Sequence, residues 1–220
     1  MKKAVIFDLD GTLLDTLVDI TEAGNLALTE LGYATHPLES FRYFVGNGAR
    51  NLMKRALPAD AGDDVLEKAV DAFRKHYATT WNHASTLYPG VADLLDELSK
   101  QGYVLSILSN KPHEFTVEIG KNIFLNWNFA LIYGHREGVP LKPDPSSALE
   151  ICTKLNLNPE EVVFVGDTAV DMETATNAKI TPIGVLWGFR PATELKANGA
   201  SSLISHPLEL LEQLERLNSK

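Results

Sequence analysis

The chain has 220 residues, of which 45% are hydrophobic, enough to bury the core of one domain or of one domain with a sizeable insertion. Acidic residues outnumber basic ones by 29 to 20, and the formal net charge of −9 argues against a general binder of nucleic acids or anionic membranes. The single cysteine, Cys152, cannot form an internal disulfide, and no run approaches the ~18 apolar residues of a membrane span. We therefore expect a cytoplasmic protein with neither nucleic acid nor membrane as a partner.

The first predicted element is a buried strand over residues 4–7, followed by the sequence DLDGT at residues 8–12. If the backbone stays extended, Asp8 and Asp10 project to the same side, because side chains along a strand repeat with period two. Two unit charges about 4 Å apart repel by roughly 4 kcal/mol at an effective dielectric constant of about 20. The pair of acids therefore requires a compensating charge.

Residues 17 to about 81 show helical periodicity and no strand pattern, over a length too great for a simple crossover. We predict a helical cap domain at residues 16–82, inserted into a core domain formed by residues 1–15 and 83–220. The insertion begins beside the two acids, at the carboxyl end of the first strand. Ligands of open α/β sheets bind at that edge, so the cap is a candidate lid.

After the insertion, short apolar runs alternate with amphipathic stretches. This alternation predicts an α/β fold with a doubly wound parallel sheet. The later predicted strands are Tyr103–Leu108, Phe129–Tyr133, Val162–Val165, Ile183–Leu186 and Ser202–Ile204.

Polar residues follow several of these strands, namely Ser109, Lys142, Asp167 and Asp171. Clustered carboxylates suit Mg²⁺, which commonly binds through one or two carboxylates together with phosphate and water. A hydroxyl and a lysine supply the positioning and charge neutralisation that phosphoryl transfer requires. We therefore predict catalytic roles for Asp8, Asp10, Ser109 and Lys142, in which one aspartate attacks phosphorus and the other moves protons.

These motifs resemble those of haloacid dehalogenase superfamily phosphatases with a helical cap in the position called C1. The DxDGT motif lies at residues 8–12, the serine is Ser109, the lysine is Lys142, and GDxxxD lies at residues 166–171. The resemblance covers essentially the whole chain and implies a Rossmann-like core. It also implies that Asp8 forms an aspartyl-phosphate and that Asp10 protonates the leaving oxygen and then activates water.

The same resemblance implies the contacts of the metal and of the phosphoryl group. The Mg²⁺ ligands would be Asp8, Asp167 and the backbone carbonyl of Asp10, while Asp171 would bind through water or orient Lys142. The phosphoryl group would be bound near Gly11 and Thr12 and by backbone amides at Ser109 and Asn110.

The stretch YFVGNGARNLMKR, residues 43–55, is the most informative part of the cap. Gly46 and Asn47 precede a helix that carries Arg50, and a helix N-terminus beside an arginine suits a second anion such as a carboxylate. This stretch, together with LDT, SNKP and GVLWGFRP, is similar to bacterial phosphoglycolate phosphatases. The resemblance implies 2-phosphoglycolate as the substrate.

The motifs leave several alternatives open. A β-phosphoglucomutase-like mutase shares every core residue, and related phosphatases act on pyrophosphate, sugar phosphates or nucleotides. A phosphorylated receiver also uses an aspartate, a hydroxyl and a lysine on a parallel sheet, although it lacks the DxD pair and a long helical insertion. Every alternative except the receiver predicts a small phosphate ester as the partner. The protein is expected to be a monomer or a homodimer.

Overall fold

A computed structural model describes residues 1–219. The strands are β1 (Ala4–Phe7), β2 (Leu14–Asp15), β3 (Thr86–Leu87), β4 (Val104–Pro112), β5 (Phe129–His135), β6 (Val162–Gly166), β7 (Thr181–Val185) and β8 (Ser202–Ile204). The helices are α1 (Leu17–Glu30), α2 (Leu38–Phe44), α3 (Gly48–Ala56), α4 (Asp63–Thr80), α5 (Val91–Lys100), α6 (His113–Ile123), α7 (Ser146–Lys154), α8 (Ala169–Asn177), α9 (Ala192–Ala197) and α10 (Glu209–Asn218), with a 3₁₀ turn at Pro159–Glu161.

Six strands form one parallel sheet in the order β5-β4-β1-β6-β7-β8. The residues of β1 and β6 are buried, as expected of strands with helices on both faces. The predicted doubly wound α/β fold is confirmed. The connections after β1 and β6 leave in opposite directions, and such a switch point is where an open α/β sheet forms its binding crevice.

The chain divides into two compact units. One consists of Met1–Leu14 together with the chain from Leu87 onward and contains the six-stranded sheet, and the other, Asp15–Thr86, contains α1 to α4. The boundaries fall within β2 and β3, which pair as a two-stranded sheet. The assignment of these units as the predicted core and cap domains stays a prediction.

Within the helical unit, a buried carboxylate fixes the start of α1 to the last residues of the insertion. Asp19 accepts hydrogen bonds from the backbone N–H groups of Ala84 and Ser85 at 2.8 and 2.9 Å and from the Ser85 hydroxyl at 2.6 Å. All three donors satisfy the charge of a group that would be costly to bury alone. The two ends of the insertion are therefore held together by one side chain.

Strand β4 is longer than the sequence predicted. It continues past Leu108 to Pro112, with a register shift before Pro112 pairs with His135. The prediction stopped at Leu108 because the apolar run ends there, whereas the backbone stays extended through the polar residues 109–111. These polar residues consequently lie on the strand and not in a loop beyond it.

The sole cysteine is part of the hydrophobic core. Cys152 lies on α7 and packs in a buried cluster that includes Ala148 and Ile151. Burial raises the pKa of its thiol, which disfavours the reactive thiolate. Within residues 1–219, none of the helices has the length and apolar character required to cross a membrane.

Candidate active site

The carboxyl edge of the sheet brings the predicted polar residues together. Asp8 follows β1 directly, and its backbone N–H donates to the carbonyl of Val165 on β6 at 2.9 Å. Asp167 follows β6, while Ser109 lies in the extended end of β4. Parallel neighbouring strands with matched registers therefore place groups from distant parts of the sequence at one edge.

Lys142 is the cation at the centre of this edge. Its Nζ lies 2.9 Å from Oδ1 of Asp8 and 2.6 Å from Oδ1 of Asp171, and it donates to the carbonyl of Leu108 at 3.1 Å. The side-chain amide of Asn110 holds the backbone of Lys142 on both sides: Oδ1 accepts from its N–H at 2.8 Å, and Nδ2 donates to its carbonyl at 3.0 Å. The ammonium is thereby fixed between two carboxylates.

The side-chain amide of Asn110 thus positions Lys142. The predicted binding of substrate by the backbone amide of Asn110 stays a prediction. The Ser109 hydroxyl accepts a hydrogen bond from the backbone N–H of Lys111 at 3.2 Å. Because this bond uses an oxygen lone pair, the hydroxyl proton remains available for an anionic ligand.

Three buried carboxylates form a cluster. Asp8, Asp167 and Asp171 each offer an oxygen, and these oxygens lie within 4.8 Å of one another. Both oxygens of Asp171 are engaged, Oδ1 by Lys142 and Oδ2 by the N–H and hydroxyl of Thr168 at 3.0 and 2.7 Å. This saturation favours the predicted orienting role of Asp171 over direct ligation of a metal.

Asp167 is positioned by two loops. Its Oδ2 accepts from the backbone N–H of Phe189 at 2.7 Å, and its Oδ1 accepts from the Thr12 hydroxyl at 3.3 Å. A Cβ on Gly11 or Gly188 would overlap the Asp167 side chain, and Gly11 has a φ of +86°. Glycine is therefore required at both positions, and at Gly11 for the backbone conformation as well.

Thr12 has a second structural contact, since its carbonyl accepts from the indole N–H of Trp187 at 3.0 Å. The predicted binding of substrate by Gly11 and Thr12 stays a prediction. In the same segment as Trp187, Arg190 forms an ion pair with Glu194 at 3.5 Å. The positive charge of Arg190 also opposes the rise in the pKa of Asp167. The loop at residues 187–190 is therefore part of the support of the acidic cluster.

The charges of the cluster do not balance among the protein groups alone. Burial, followed by the charge of Asp171, raises the pKa of Asp8 to about 7, even though Lys142 opposes the shift. Burial, followed by Asp171 and Asp8, raises the pKa of Asp167 well above its usual value. For Lys142, burial alone would lower the pKa, but the two neighbouring carboxylates raise it above its usual value.

A hard divalent cation fits this donor set. Three buried carboxylates face one ammonium, so a cation would supply the missing positive charge, and carboxylate oxygens are the ligands that Mg²⁺ prefers. The side chains of Asp8 and Asp167 are the candidates to hold it. Oδ1 of Asp167 accepts only a long hydrogen bond of 3.3 Å from Thr12, whereas Asp171 is held on Oδ1 by the Lys142 ammonium at 2.6 Å and on Oδ2 by the Thr168 hydroxyl at 2.7 Å.

The carboxylate of Asp10 is not a member of this cluster in the described part of the chain. Instead, both of its oxygens face the ammonium of Lys111, at 2.7 and 2.9 Å from Nζ. Lys111, the lysine of the SNKP stretch, was not among the predicted site residues. Its spacing of two residues from Ser109, on an extended backbone, was the signal that could have identified it.

The predicted cap residues lie in the helical unit. Gly46, with a φ of +117°, and Asn47 form the turn before α3. Arg50 is 51% exposed and forms ion pairs with Glu67 at 2.9 Å and Asp63 at 3.3 Å. The arginine predicted to read a carboxylate therefore contacts two carboxylates of α4.

The turn itself is held by a different arginine, for which the sequence predicted no role. The guanidinium of Arg55 donates to the carbonyls of Tyr43 and Phe44 at 3.1 and 3.0 Å, and at 3.5 Å to Oδ1 of Asn47. Asn51 also donates to the carbonyl of Asn47 at 2.9 Å. These contacts fix the backbone of residues 43–47.

The fold and the site together define a doubly wound α/β protein with clustered aspartates and a buried lysine at the carboxyl edge of its sheet. Residues 5–185 match the family model described as haloacid dehalogenase-like hydrolase. The chain belongs to this family of enzymes, and the resemblance inferred from the motifs is confirmed.

Curated relatives cover nearly the whole chain. The phosphoglycolate phosphatase of Psychrobacter arcticus is 32% identical over 204 residues, covering 89% of this chain and 88% of the relative. The plasmid-borne phosphoglycolate phosphatase of Cupriavidus necator is 34% identical over 218 residues, covering 96% and 92%. Among solved structures, a predicted phosphoglycolate phosphatase from Haemophilus somnus is 25% identical, with a TM-score of 0.88 over 97% of this chain and 98% of that one.

Proposed function

We propose that this protein is a Mg²⁺-dependent phosphomonoester hydrolase that acts through an aspartyl-phosphate on Asp8. The observation that carries the proposal is the position of Lys142, whose ammonium bridges Asp8 and Asp171 beside the buried carboxylate cluster. A nucleophile held next to a fixed cation is suited to attack a dianionic phosphoryl group, whose charge would otherwise repel it.

In the proposed reaction, a carboxylate oxygen of Asp8 forms a bond to phosphorus as the bond to the leaving oxygen breaks. Asp10 gives its proton to that oxygen, and Lys142 and the Ser109 hydroxyl balance the charge of the phosphoryl oxygens. Water then attacks the aspartyl-phosphate, Asp10 takes a proton from the water, and the carboxylate of Asp8 is restored. A bound Mg²⁺ would neutralise charge on the nucleophile and the phosphoryl group throughout.

We propose 2-phosphoglycolate as the substrate. The support is that curated relatives sharing about a third of their residues over most of the chain carry that activity in their names. Substrate recognition would use the Gly46–Asn47 turn and Arg50, which would exchange an exposed acid of α4 for the substrate carboxylate. Ion pairs between exposed side chains contribute little, so this exchange costs little.

A cytoplasmic location and a monomeric or homodimeric state also belong to the proposal. A single buried cysteine favours a reducing compartment, because it cannot form an internal disulfide that would stabilise the chain under oxidising conditions.

The first test is release of inorganic phosphate from a panel that contains 2-phosphoglycolate, sugar phosphates, pyrophosphate, nucleotides and p-nitrophenyl phosphate. We expect turnover to be concentrated on 2-phosphoglycolate and to fall by on the order of 10²-fold or more with a chelator, because the metal contributes several kcal/mol of charge stabilisation. Turnover unaffected by the chelator would contradict metal dependence, and turnover spread evenly over the panel would contradict the substrate assignment.

The mutase alternative predicts a different result in the same assay. A β-phosphoglucomutase of Clostridium difficile shares this fold with a TM-score of 0.81, at 18% identity. In that alternative, the phosphoryl group on Asp8 is transferred back to a bound sugar. Conversion of a sugar phosphate that is stimulated by a sugar bisphosphate and releases no free phosphate would favour it.

The role of Arg50 is tested by Arg50→Ala. We expect a rise in KM of roughly tenfold for 2-phosphoglycolate, which corresponds to the loss of one charge-assisted contact, and little change for p-nitrophenyl phosphate, which has no carboxylate. Arg216→Ala is the matched control, since Arg216 is likewise exposed and pairs with an exposed glutamate, in this case on its own helix. Equal changes in KM for both esters would show that Arg50 does not bind the substrate carboxylate.

A further inference from the structure

A second buried lysine lies at the site, and the proposed reaction does not use it. Lys111, near the end of β4, has a side chain that is 4% exposed, and it pairs with Asp10, whose side chain is 11% exposed. Nζ contacts both carboxylate oxygens, at 2.7 and 2.9 Å. Such a two-oxygen contact limits rotation of the carboxylate more than a single hydrogen bond does.

The backbone of Lys111 is itself fixed. Its N–H donates to the Ser109 hydroxyl at 3.2 Å, and its carbonyl accepts from the Thr116 hydroxyl of α6 at 3.4 Å. Strand β4 pairs with β5 on both sides of Lys111, at Leu108 and Pro112, and the Thr116 hydroxyl also donates to the carbonyl of Pro112 at 3.0 Å. The ammonium thus extends from a strand that is held by its neighbour in the sheet and by a helix. A functional group held by such a rigid element keeps its geometry through a reaction.

The two lysines divide the acids of the site between them. Lys142 contacts Asp8 and Asp171, which belong to the carboxylate cluster, whereas Lys111 contacts Asp10, whose carboxylate lies outside it. The charge of Lys111 is therefore directed to the residue that moves protons, not to the nucleophile.

We propose that Lys111 is a positioning residue that holds the Asp10 carboxylate as the base for hydrolysis of the aspartyl-phosphate. This inference rests on the proposed function. After Asp10 has protonated the leaving oxygen it is a carboxylate, the form that Lys111 binds, and it must then accept a proton from the attacking water. Lys111 stays protonated, and the phosphorus–oxygen bond to Asp8 breaks as the bond to water forms.

The test uses p-nitrophenyl phosphate, whose good leaving group needs little help from an acid. In Lys111→Met, we expect the first p-nitrophenol per enzyme to be released within about threefold of the wild-type rate, while steady-state turnover falls about 10²-fold, as for a misplaced supporting group. Rapid mixing should therefore show a burst of about one p-nitrophenol per site, because the aspartyl-phosphate accumulates.

Asp10→Asn is the matched comparison, since it removes the base itself and should give the same burst. In the Asp10→Asn background, Lys111→Met should cause no further loss of steady-state turnover, because a residue that acts through Asp10 has nothing left to position. Lys111→Gln, which also removes the charge, replaces Lys111→Met if circular dichroism shows that the methionine variant does not fold.

Three results would overturn the inference: unchanged steady-state turnover, an equal fall in first release and steady state, or a further loss in the Asp10→Asn background. An equal fall would indicate a general structural role or a contact with the phosphoryl group. Failure of the proposed function is separate, because it would appear as a wild-type enzyme that releases no p-nitrophenol and no phosphate.

Discussion

Asp8→Asn is expected to abolish phosphate release from every ester while leaving the fold intact. The substitution removes the oxygen that would bond to phosphorus and keeps nearly the same volume. Lys142 retains its contact with Asp171 at 2.6 Å, so the cation stays in the site. The measurement is steady-state phosphate release together with circular dichroism, and activity near that of the wild type would contradict covalent catalysis by Asp8.

The stability of the same variant has a predicted sign. Burial and the charge of Asp171 raise the pKa of Asp8 to about 7, above the ordinary value for an aspartate. In the absence of metal, ionisation of Asp8 therefore lowers the free energy of unfolding as the pH rises from about 4 toward 7. Above pH 7, the neutral asparagine should make the metal-free variant at least as stable as the metal-free wild type.

The stability comparison is made by urea denaturation at pH 8 with a chelator. Asp93→Asn, at an exposed position on α5, is the control for loss of an aspartate outside the site. If Asp8→Asn proves markedly less stable than this control at pH 8, the carboxylate of Asp8 stabilises the metal-free fold, and the three carboxylates of the cluster do not carry a destabilising excess of negative charge.

Much of the core fold followed from local patterns. Buried parallel strands are nearly continuous apolar runs, so β1 and β6 were predicted within one residue. Strand β4 was predicted to end too early because Ser109, Asn110 and Lys111 are polar, although they are buried in the structure. Burial of polar residues depends on partners elsewhere in the chain, which a local pattern does not contain.

In the candidate site, too, local sequence patterns identified some residues, while contacts with distant residues were not predictable. The acids at strand ends were identifiable because parallel strands end at a common edge, but the partners that position them are distant in sequence. Asp167 is held by the backbone N–H of Phe189, and Lys142 by the amide of Asn110. The capping contact of Asp171 with Thr168 was not predicted either, although its T-x-x-D spacing at a helix start is visible in the sequence.

In the helical unit, Arg50 was predicted to bind an anion because it follows the Gly46–Asn47 turn, and no role was predicted for Arg55. Packing of α3 against α4 pairs Arg50 with two exposed acids, and the fold turns Arg55 back to the carbonyls of the preceding turn. Which arginine pairs with acids and which supports the backbone depends on that packing. Periodicity on α3 alone could not separate the two.

Asp10→Asn is expected to lower kcat by on the order of 10²- to 10⁴-fold for 2-phosphoglycolate, the range typical of general acid–base catalysis. The asparagine can neither protonate the leaving oxygen nor take a proton from water. The loss should be smaller in the first release of p-nitrophenol from p-nitrophenyl phosphate, because that leaving group departs as a stable anion. An unchanged kcat for 2-phosphoglycolate would remove Asp10 from the proton transfers.

The same substitution should also lower the stability of the protein, because it breaks a buried ion pair from one side. Removing one partner of such a pair costs roughly 3–5 kcal/mol when the remaining charge is poorly solvated. The double variant Asp10→Asn/Lys111→Met removes both charges and should recover part of that loss in urea denaturation, while its kcat stays at the level of Asp10→Asn. Recovery of stability without recovery of kcat would separate the two functions of Asp10: it neutralises Lys111 in the folded protein, and it transfers protons in the reaction. If stability and kcat were instead restored together, the loss of activity in Asp10→Asn would be a consequence of misfolding.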